Sequence, residues 1–258
     1  MNYKIIDTHL HLGPYGPLYV PSNSEDNVIN LLKKFNVIKA ICSHHLGFVS
    51  VENGIEGLFK VLGKYKNFLY GYLVFNPNFS KISLEIIKKY IGYKNIIGVK
   101  IHPSWHQCYP NDLKYNDLWN IAEEKNFPIL SHSWSTSVGN PIQRFSNPLL
   151  FKNVVKNHPN LKLILAHAGG RGEYFYKVMN LLEENENLYV DFAGDVFFRG
   201  LLKEFVSNVG SGRILFGTDL PWTDVRYHIA NVLYADINER HKKNILSLNA
   251  LKLFNIEV

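Results

Sequence analysis

The chain has 258 residues, of which 46% are hydrophobic and 19% charged, a balance that excludes a disordered protein and supports a large core. Its formal charge of +6 comes from lysines spread along the whole chain, so no nucleic-acid partner is expected. Its two cysteines, Cys42 and Cys108, have no CxxC spacing, which excludes a disulfide scaffold.

No apolar run has the length of a signal-peptide core or of a transmembrane helix. We therefore expect a cytoplasmic protein without a membrane partner.

Short apolar runs alternate along the chain with longer segments of helical periodicity. The runs predict eight strands, at residues 4–8, 38–43, 68–75, 96–101, 128–131, 162–166, 188–192 and 213–217. The periodic segments predict helices at residues 26–35, 84–90, 116–125, 149–157, 173–184, 201–208, 225–234 and 240–254. Eight such units predict an α/β fold of the (β/α)8 TIM-barrel type, as one domain over residues 1–258. An open doubly wound sheet is the alternative, but it would normally begin with a Gly-rich turn, which DTHLHLG is not.

Polar residues stand at the ends of six predicted strands, where a barrel carries its catalytic groups. They are His9 and His11, His44 and His45, Lys100 and His102, His132, His167, and Asp219. Since alternate strand residues share a face, we expect His9 and His11 to point the same way, and Lys100 and His102 to point into the barrel.

One histidine at a strand end is more often a hydrogen-bonded structural residue than a ligand. Histidines on strands 1, 5 and 6 would, however, converge with Asp219 at the barrel mouth, which predicts a metal site. Imidazole and carboxylate suit Zn²⁺, with Mn²⁺ or Fe²⁺ as alternatives. His44 and His45 are adjacent, so at most one faces inward.

Asp219 has the chemistry to bind a metal on one side and to take a proton from metal-activated water on the other. His167 would bind a second metal or stabilise an oxyanion. Lys100 is either carbamylated or remains an ammonium that holds an acidic substrate group or a carboxylate such as Asp7; the second interpretation is preferred. Asp7 equally fits a buried, hydrogen-bonded residue.

Aromatic and basic residues follow several strand ends: Trp105, Trp134, Trp222 and Arg171. The tryptophans would stack on a flat substrate or cap the rim of the core. Arg171 would hold an anion, or would be an ordinary exposed residue. The GPYG segment at residues 13–16 is predicted to begin the first loop over the site and to help choose the substrate.

Five segments, IDTHLH, GVKIHP, PILSHSW, LKLILAHAGG and ILFGTDLPW, occur in the order seen in the amidohydrolase superfamily. The chain resembles its amidohydrolase-related branch, which includes the aminocarboxymuconate-semialdehyde decarboxylase-like enzymes, from residue 5 to about residue 222. The closing NALKLF is similar to the family's last helix. The resemblance implies a (β/α)8 barrel with a divalent metal, usually zinc, one ion rather than two. It implies that His9, His11, His132 and Asp219 are the ligands and that His167 lies beside the metal.

Members of this branch hydrolyse C–N, ester or lactone bonds, or decarboxylate aromatic and muconate-type acids. This chain is shorter than the branch's typical decarboxylases, so hydrolysis of a small molecule is the main prediction and decarboxylation the alternative. A TatD-type deoxyribonuclease is less favoured, because that family has a Glu ligand on strand 4 where this chain has Lys100 and His102. An inactive metal-binding barrel is disfavoured because all the expected ligands are present. A homodimer is a further expectation.

Overall fold

The computed structural model describes residues 3–14, 20–137 and 139–256. Within them eight parallel strands form one sheet in the order β1 to β8. The strands are β1 Ile5–Leu12, β2 Val37–His44, β3 Leu69–Val74, β4 Ile96–Ile101, β5 Ile129–Ser131, β6 Leu163–Leu165, β7 Leu188–Asp191 and β8 Ile214–Leu215. Half of the GPYG segment, residues 15–16, lies outside the described residues, so the prediction about it is not addressed.

The sheet closes through the segment that follows β8. The backbone N–H of Thr8 donates to Phe216 O at 2.9 Å, and that of His11 donates to Leu220 O at 2.7 Å. A parallel bridge also joins Leu10 and Leu220. The predicted (β/α)8 barrel is therefore confirmed. β1 lies beside the segment that follows β8.

Eight of the α-helices of the described chain lie between successive strands, and the last three follow β8. In chain order the helices are α1 Glu25–Lys34, α2 Val51–Lys64, α3 Ser80–Tyr90, α4 Pro103–His106, α5 Asn116–Lys125, α6 Lys152–Asn157, α7 Tyr174–Glu184, α8 Leu201–Val209, α9 Val225–Leu233, α10 Glu239–Lys243 and α11 Asn249–Phe254. A π-helical turn, Asn244–Leu248, joins α10 to α11. Short 3₁₀ helices are His45–Phe48, Pro77–Phe79, Leu113–Tyr115, Pro141–Ser146, Pro148–Phe151 and Ala166–Gly169. None of the helices in the described part of the chain is long and apolar enough to cross a bilayer.

The apolar core has two layers. A small inner cluster fills the barrel with one large side chain from each of several strands, and α11 contributes further residues: Ile6, Ile41, Tyr72, Leu130, Ile164, Leu215, Leu253 and Phe254. A larger outer cluster packs the strands against the surrounding helices. The inner cluster leaves the carboxyl ends of the strands for polar side chains.

β1 is longer than predicted and is irregular. The strand runs to Leu12, so His9 and His11 lie inside it. Its pairing register with β2 shifts between Asp7 and Leu10, which indicates a bulge. The bulge interrupts the alternation of faces, so the relative orientation of Asp7 and His9 cannot be derived from their spacing alone.

No helix is predicted over residues 51–64, yet α2 forms there. Its three glycines weaken the helical signal, because glycine has low helix propensity. Tertiary packing explains one of them: a Cβ on Gly54 would lie 2.2 Å from the Cα of Gly47 in the 3₁₀ helix after β2. Gly54 therefore lets α2 approach the segment that carries His45 and Phe48 toward the barrel mouth.

The close approach predicts a position-specific effect of alanine in α2. Gly54→Ala should lower the free energy of unfolding by about 1–3 kcal/mol, because the added methyl meets backbone that cannot turn away. Gly63→Ala, in the same helix, adds a methyl that would have nothing within 4 Å, and it should be neutral or stabilising by up to about 1 kcal/mol. Urea denaturation of the two variants measures both values. Equal effects would contradict the packing argument.

Candidate active site

A cavity of about 210 Å³ opens at the carboxyl ends of the strands. Among the described residues its lining is made largely of imidazole and aromatic rings, with one lysine and one aspartate: His9, His11, His45, Phe48, Lys100, His102, Trp105, His132, His167, Asp219 and Trp222. The structure thus brings the strand-end residues of β1, β2, β4, β5, β6 and β8 to one place.

Three of these side chains form a compact cluster suited to a metal ion. The Nε2 atoms of His9 and His11 lie 3.4 and 3.2 Å from Oδ1 of Asp219. One ligand atom from each residue falls within 4.8 Å of the other two. Asp219 has a φ of 62°, a left-handed conformation that L-residues seldom adopt, as the chain turns out of β8 to present this carboxylate.

The outer nitrogens of the two histidines have fixed partners. His9 Nδ1 donates to Asp191 Oδ2 at 2.8 Å, and His11 Nδ1 lies 2.8 Å from Ser43 Oγ. Because a carboxylate only accepts, the proton of neutral His9 is on Nδ1 and its lone pair is on Nε2, facing Asp219. A carboxylate behind a histidine in this way orients the ring and raises its basicity as a ligand.

The protonation states of the cluster suit metal binding. Burial, together with the nearby Lys100, lowers the pKa of His9 to about 4, and burial lowers the pKa of His11. Burial acts to raise the pKa of Asp219, but the hydrogen bond with His11 and electrostatic interactions with His9 and His167 hold it well below its usual range. Neutral imidazoles and an ionised carboxylate are the forms that metal ligands must adopt.

Lys100 is the cation already present at this site. Its side chain is buried, and its Nζ lies 2.8 Å from His9 Nε2 and donates to it. Burial lowers the pKa of Lys100 to about 8, against the opposing charges of Asp219 and Asp191. One lone pair cannot serve two cations, so metal binding at His9 Nε2 requires Lys100 Nζ to turn away. The donor set of two imidazoles and one carboxylate fits a divalent ion such as Zn²⁺ or Mn²⁺.

His132 and His167 pair with each other beside the cluster. His167 Nδ1 donates to Ala193 O at 2.9 Å, and its Nε2 lies 3.1 Å from His132 Nδ1. His132 Nε2 lies 3.1 Å from the side-chain oxygen of Gln143. Both nitrogens of His132 thus face protein groups, and His132 as a fourth metal ligand stays a prediction. A second group with metal-ligand spacing, His9 with His167 and Asp191, is held by the hydrogen bonds already described.

The loop that carries Asp219 is fixed from behind by hydroxyl groups. Thr218 donates from its backbone and its side chain to the carboxylate of Asp7, at 3.1 and 2.6 Å. Thr223 Oγ1 donates to the carbonyl of Thr218 and lies 2.8 Å from His228 Nε2. Asp7 is therefore a buried hydrogen-bonded residue, and burial raises its pKa to about 7.

The predicted substrate residues fall into two groups. Lys100, His102, Trp105 and Trp222 line the cavity, whereas Trp134 and Arg171 are absent from its described lining. Trp134 packs against His132 and His167 from outside. Arg171 forms an ion pair with Asp195 and lies over the Trp134 ring.

Of the adjacent pair at the end of β2, His45 reaches the cavity and His44 does not. His45 stacks on His11 with ring centroids 5.1 Å apart. It also accepts the indole N–H of Trp222 at 3.3 Å. His44 packs instead against Gly13 and Gly57, where a Cβ would overlap its ring.

Two residues of the site were missed in the sequence. Asp191 ends β7, and the rule applied to the other strands, that polar residues at strand ends mark the site, would have found it. Phe48 has no such signal, because it lies in a 3₁₀ helix four residues beyond β2. His106 of α4 holds it in place by donating from Nε2 to Phe48 O at 3.1 Å.

The comparison with known families now identifies the chain. A family model described as amidohydrolase matches residues 58–256. The chain belongs to the amidohydrolase family. Together with the His₂Asp cluster, this membership makes the protein a metal-dependent TIM-barrel enzyme. No curated protein matches the sequence.

Solved structures with the same fold include several decarboxylases. A 2,6-dihydroxybenzoate decarboxylase complexed with 2,6-dihydroxybenzoate has a TM-score of 0.81 and 16% identity, over 98% of this chain and 99% of that chain. A dihydroxybenzoic acid decarboxylase from Polaromonas sp. JS666, with bound manganese and the inhibitor 2-nitroresorcinol, has a TM-score of 0.79 and 15% identity, over 98% and 97%. A 5-carboxyvanillate decarboxylase from Sphingomonas paucimobilis has a TM-score of 0.80 and 12% identity, over 99% and 100%. At these identities the likeness shows the fold.

The hydroxyl support behind Asp219 predicts an effect on metal affinity. Thr223→Val removes the donor to Thr218 O and the partner of His228, so the Asp219 loop should loosen and Mn²⁺ should bind about tenfold more weakly. Thr223→Ser keeps the hydroxyl and should bind Mn²⁺ like the wild type. Isothermal titration of the metal-free proteins measures both affinities, and a valine variant with unchanged affinity would contradict the role of this hydroxyl.

Proposed function

We propose that the protein is a metal-dependent decarboxylase of small hydroxylated aromatic acids. The observation that carries the proposal is a small, ring-lined cavity above a His₂Asp cluster, in a fold shared over nearly the whole chain with decarboxylases of that substrate class. Hydrolysis, the main prediction from sequence, has less support. It was preferred because the chain is short, but the match to 2,6-dihydroxybenzoate decarboxylase covers 99% of that chain, so length does not separate the two.

The cavity has the size and walls for one aromatic ring. Its volume of about 210 Å³ is below the roughly 300–1,000 Å³ of pockets that take drug-sized ligands. Phe48, Trp105 and Trp222 offer flat apolar surfaces, and Lys100 offers a positive charge to an acid. Aromatic surfaces together with one buried cation favour a planar anion over a peptide or a sugar.

Decarboxylation breaks the bond between the ring and the carboxylate, leaves the electron pair on the ring carbon and requires a proton there. A divalent metal, when bound, would act as a Lewis acid toward substrate oxygens. Asp219 Oδ1 faces the two histidines, which leaves its second oxygen to take the proton of a substrate hydroxyl and return it to the ring. Lys100 would balance the charge of the acid, and the aromatic walls would exclude water from the reacting carbon.

Hydrolysis of a C–N, ester or lactone bond is the second candidate, favoured by the family description. The same cluster would then activate water, with Asp219 as the base. The substrate in both cases is a small molecule. Zinc and manganese both suit the donor set, and manganese is the ion in the Polaromonas decarboxylase. A homodimer stays a prediction.

The proposal predicts CO₂ release from 2,6-dihydroxybenzoate by protein reconstituted with Mn²⁺ or Zn²⁺. Asp219→Asn should lower kcat by at least about 100-fold, since it removes both a ligand and the proton carrier. A coupled CO₂ assay, run beside a panel of amides, esters and lactones, separates the candidates. Turnover of the panel without CO₂ release would favour hydrolysis, and failure of both metals to bind would overturn the metal-dependent mechanism.

A further inference from the structure

We propose that His102 determines specificity in this cavity: its Nε2–H donates a hydrogen bond to an acceptor oxygen of an aromatic acid. The inference rests on the proposed function and refines its substrate class. The ligand must carry a carboxylate or phenolic oxygen at the β4 side of the cavity, and ring-shaped ligands without it should bind poorly.

The tautomer of His102 is fixed by the start of α4. The backbone N–H of Trp105 donates to His102 Nδ1 at 3.2 Å, so the imidazole serves as the N-cap of this short helix. A ring nitrogen that accepts a hydrogen bond carries no proton. His102 is therefore neutral, and its one ring proton is on Nε2.

The other surfaces of the imidazole are already packed. One face stacks on His132, with centroids 4.0 Å apart and planes 12° from parallel. Phe48 and Trp105 approach with their rings steeply inclined to it, at 5.6 and 6.1 Å. The ring thus has a defined orientation.

Nε2 is the part of the ring left for a ligand. Nε2 has no hydrogen-bond partner among the described residues. The buried side-chain atoms without a partner are His44 Nδ1, His106 Nδ1 and the hydroxyls of Tyr115 and Tyr227, so Nε2 of His102 is accessible and not buried. Because His102 lines the cavity, an accessible donor on this ring faces the space that a substrate fills.

Lys100 and His102 play different parts at the end of the same strand. Lys100 Nζ already contacts His9, and as a cation on a flexible stem it attracts an anion with little directional preference. The N–H of His102 is a neutral donor of fixed direction. A ligand that desolvates it without supplying an acceptor loses a hydrogen bond, which corresponds to about tenfold in affinity.

His102→Asn separates the two roles of this residue. The asparagine oxygen can still accept the N–H of Trp105, since asparagine is a favoured N-cap, but the shorter side chain ends its amide N–H before the position of Nε2. His102→Phe keeps a ring against His132 and removes both the cap and the donor. Both variants should lower the thermal midpoint, the asparagine by loss of the ring contacts and the phenylalanine by loss of the helix cap.

The test uses the Mn²⁺-loaded full chain and measures by titration calorimetry the affinity of three ligands that it does not turn over. The ligands are 2-nitroresorcinol, whose nitro group stands in for the carboxylate, resorcinol, which lacks that group, and benzoate, which lacks the hydroxyls. His102→Asn should weaken the binding of 2-nitroresorcinol about tenfold and leave unchanged the ligand that lacks the recognised oxygen. Loss with resorcinol assigns the contact to a hydroxyl, and loss with benzoate assigns it to the carboxylate.

Several results would overturn the inference. Unchanged affinity of His102→Asn for all three ligands would show that His102 is only a helix cap. Equal weakening of all three would show a general packing effect. If the variant does not fold, the wild type still decides, because ¹⁵N-histidine NMR that finds the proton on Nδ1 excludes the donor. If the wild type binds none of the ligands, the proposed function fails together with the inference.

Discussion

The arrangement of the site depends on one buried carboxylate, that of Asp191. It accepts from His9 Nδ1 at 2.8 Å, from the backbone N–H of His167 at 2.9 Å and from that of Ala193 at 3.0 Å. A fully buried carboxylate is costly unless such donors surround it, so this network constrains where the donors lie. Burial acts to raise the pKa of Asp191, but His9 and these hydrogen bonds hold it at about 2. One aspartate thus orients the metal-facing nitrogen of His9 and the backbone of the His167 turn.

The hydrogen bonds that close the barrel also position the residues of the site. Asp7 of β1 accepts two hydrogen bonds from Thr218, the residue before Asp219. The backbone N–H of Asp219 in turn donates to His9 O at 2.7 Å. The contacts that join the first and last strands are therefore the contacts that bring Asp219 to the histidines of β1. A substitution that broke these hydrogen bonds would be expected to impair both folding and metal binding.

The sequence predicted the parts of this structure that follow from periodicity, and it failed where packing decides. Eight apolar runs and their polar ends were sufficient for the barrel and for the meeting of His9, His11 and Asp219, because strand ends of a barrel must converge. The bulge in β1 could not be predicted, because the alternation of apolar and polar residues in the strand does not reveal it. The position of Phe48 could not be predicted because it depends on α2 packing glycine against glycine. Asp191 ends β7, so the rule that polar residues at strand ends mark the site would predict it as well.

The ligand cluster determines which chemistry is available, and the cavity walls determine which substrates reach it. A divalent metal held by two neutral imidazoles and one carboxylate would activate water or polarise a substrate oxygen equally well, so the cluster alone does not choose a reaction. The walls restrict what reaches it. A ring held between Phe48 and the indoles brings its own substituents to the cluster. In a cavity of about 210 Å³ with flat apolar walls, an aromatic acid would present its carboxylate and hydroxyl groups to Asp219, and this fit supports the proposed decarboxylation over hydrolysis.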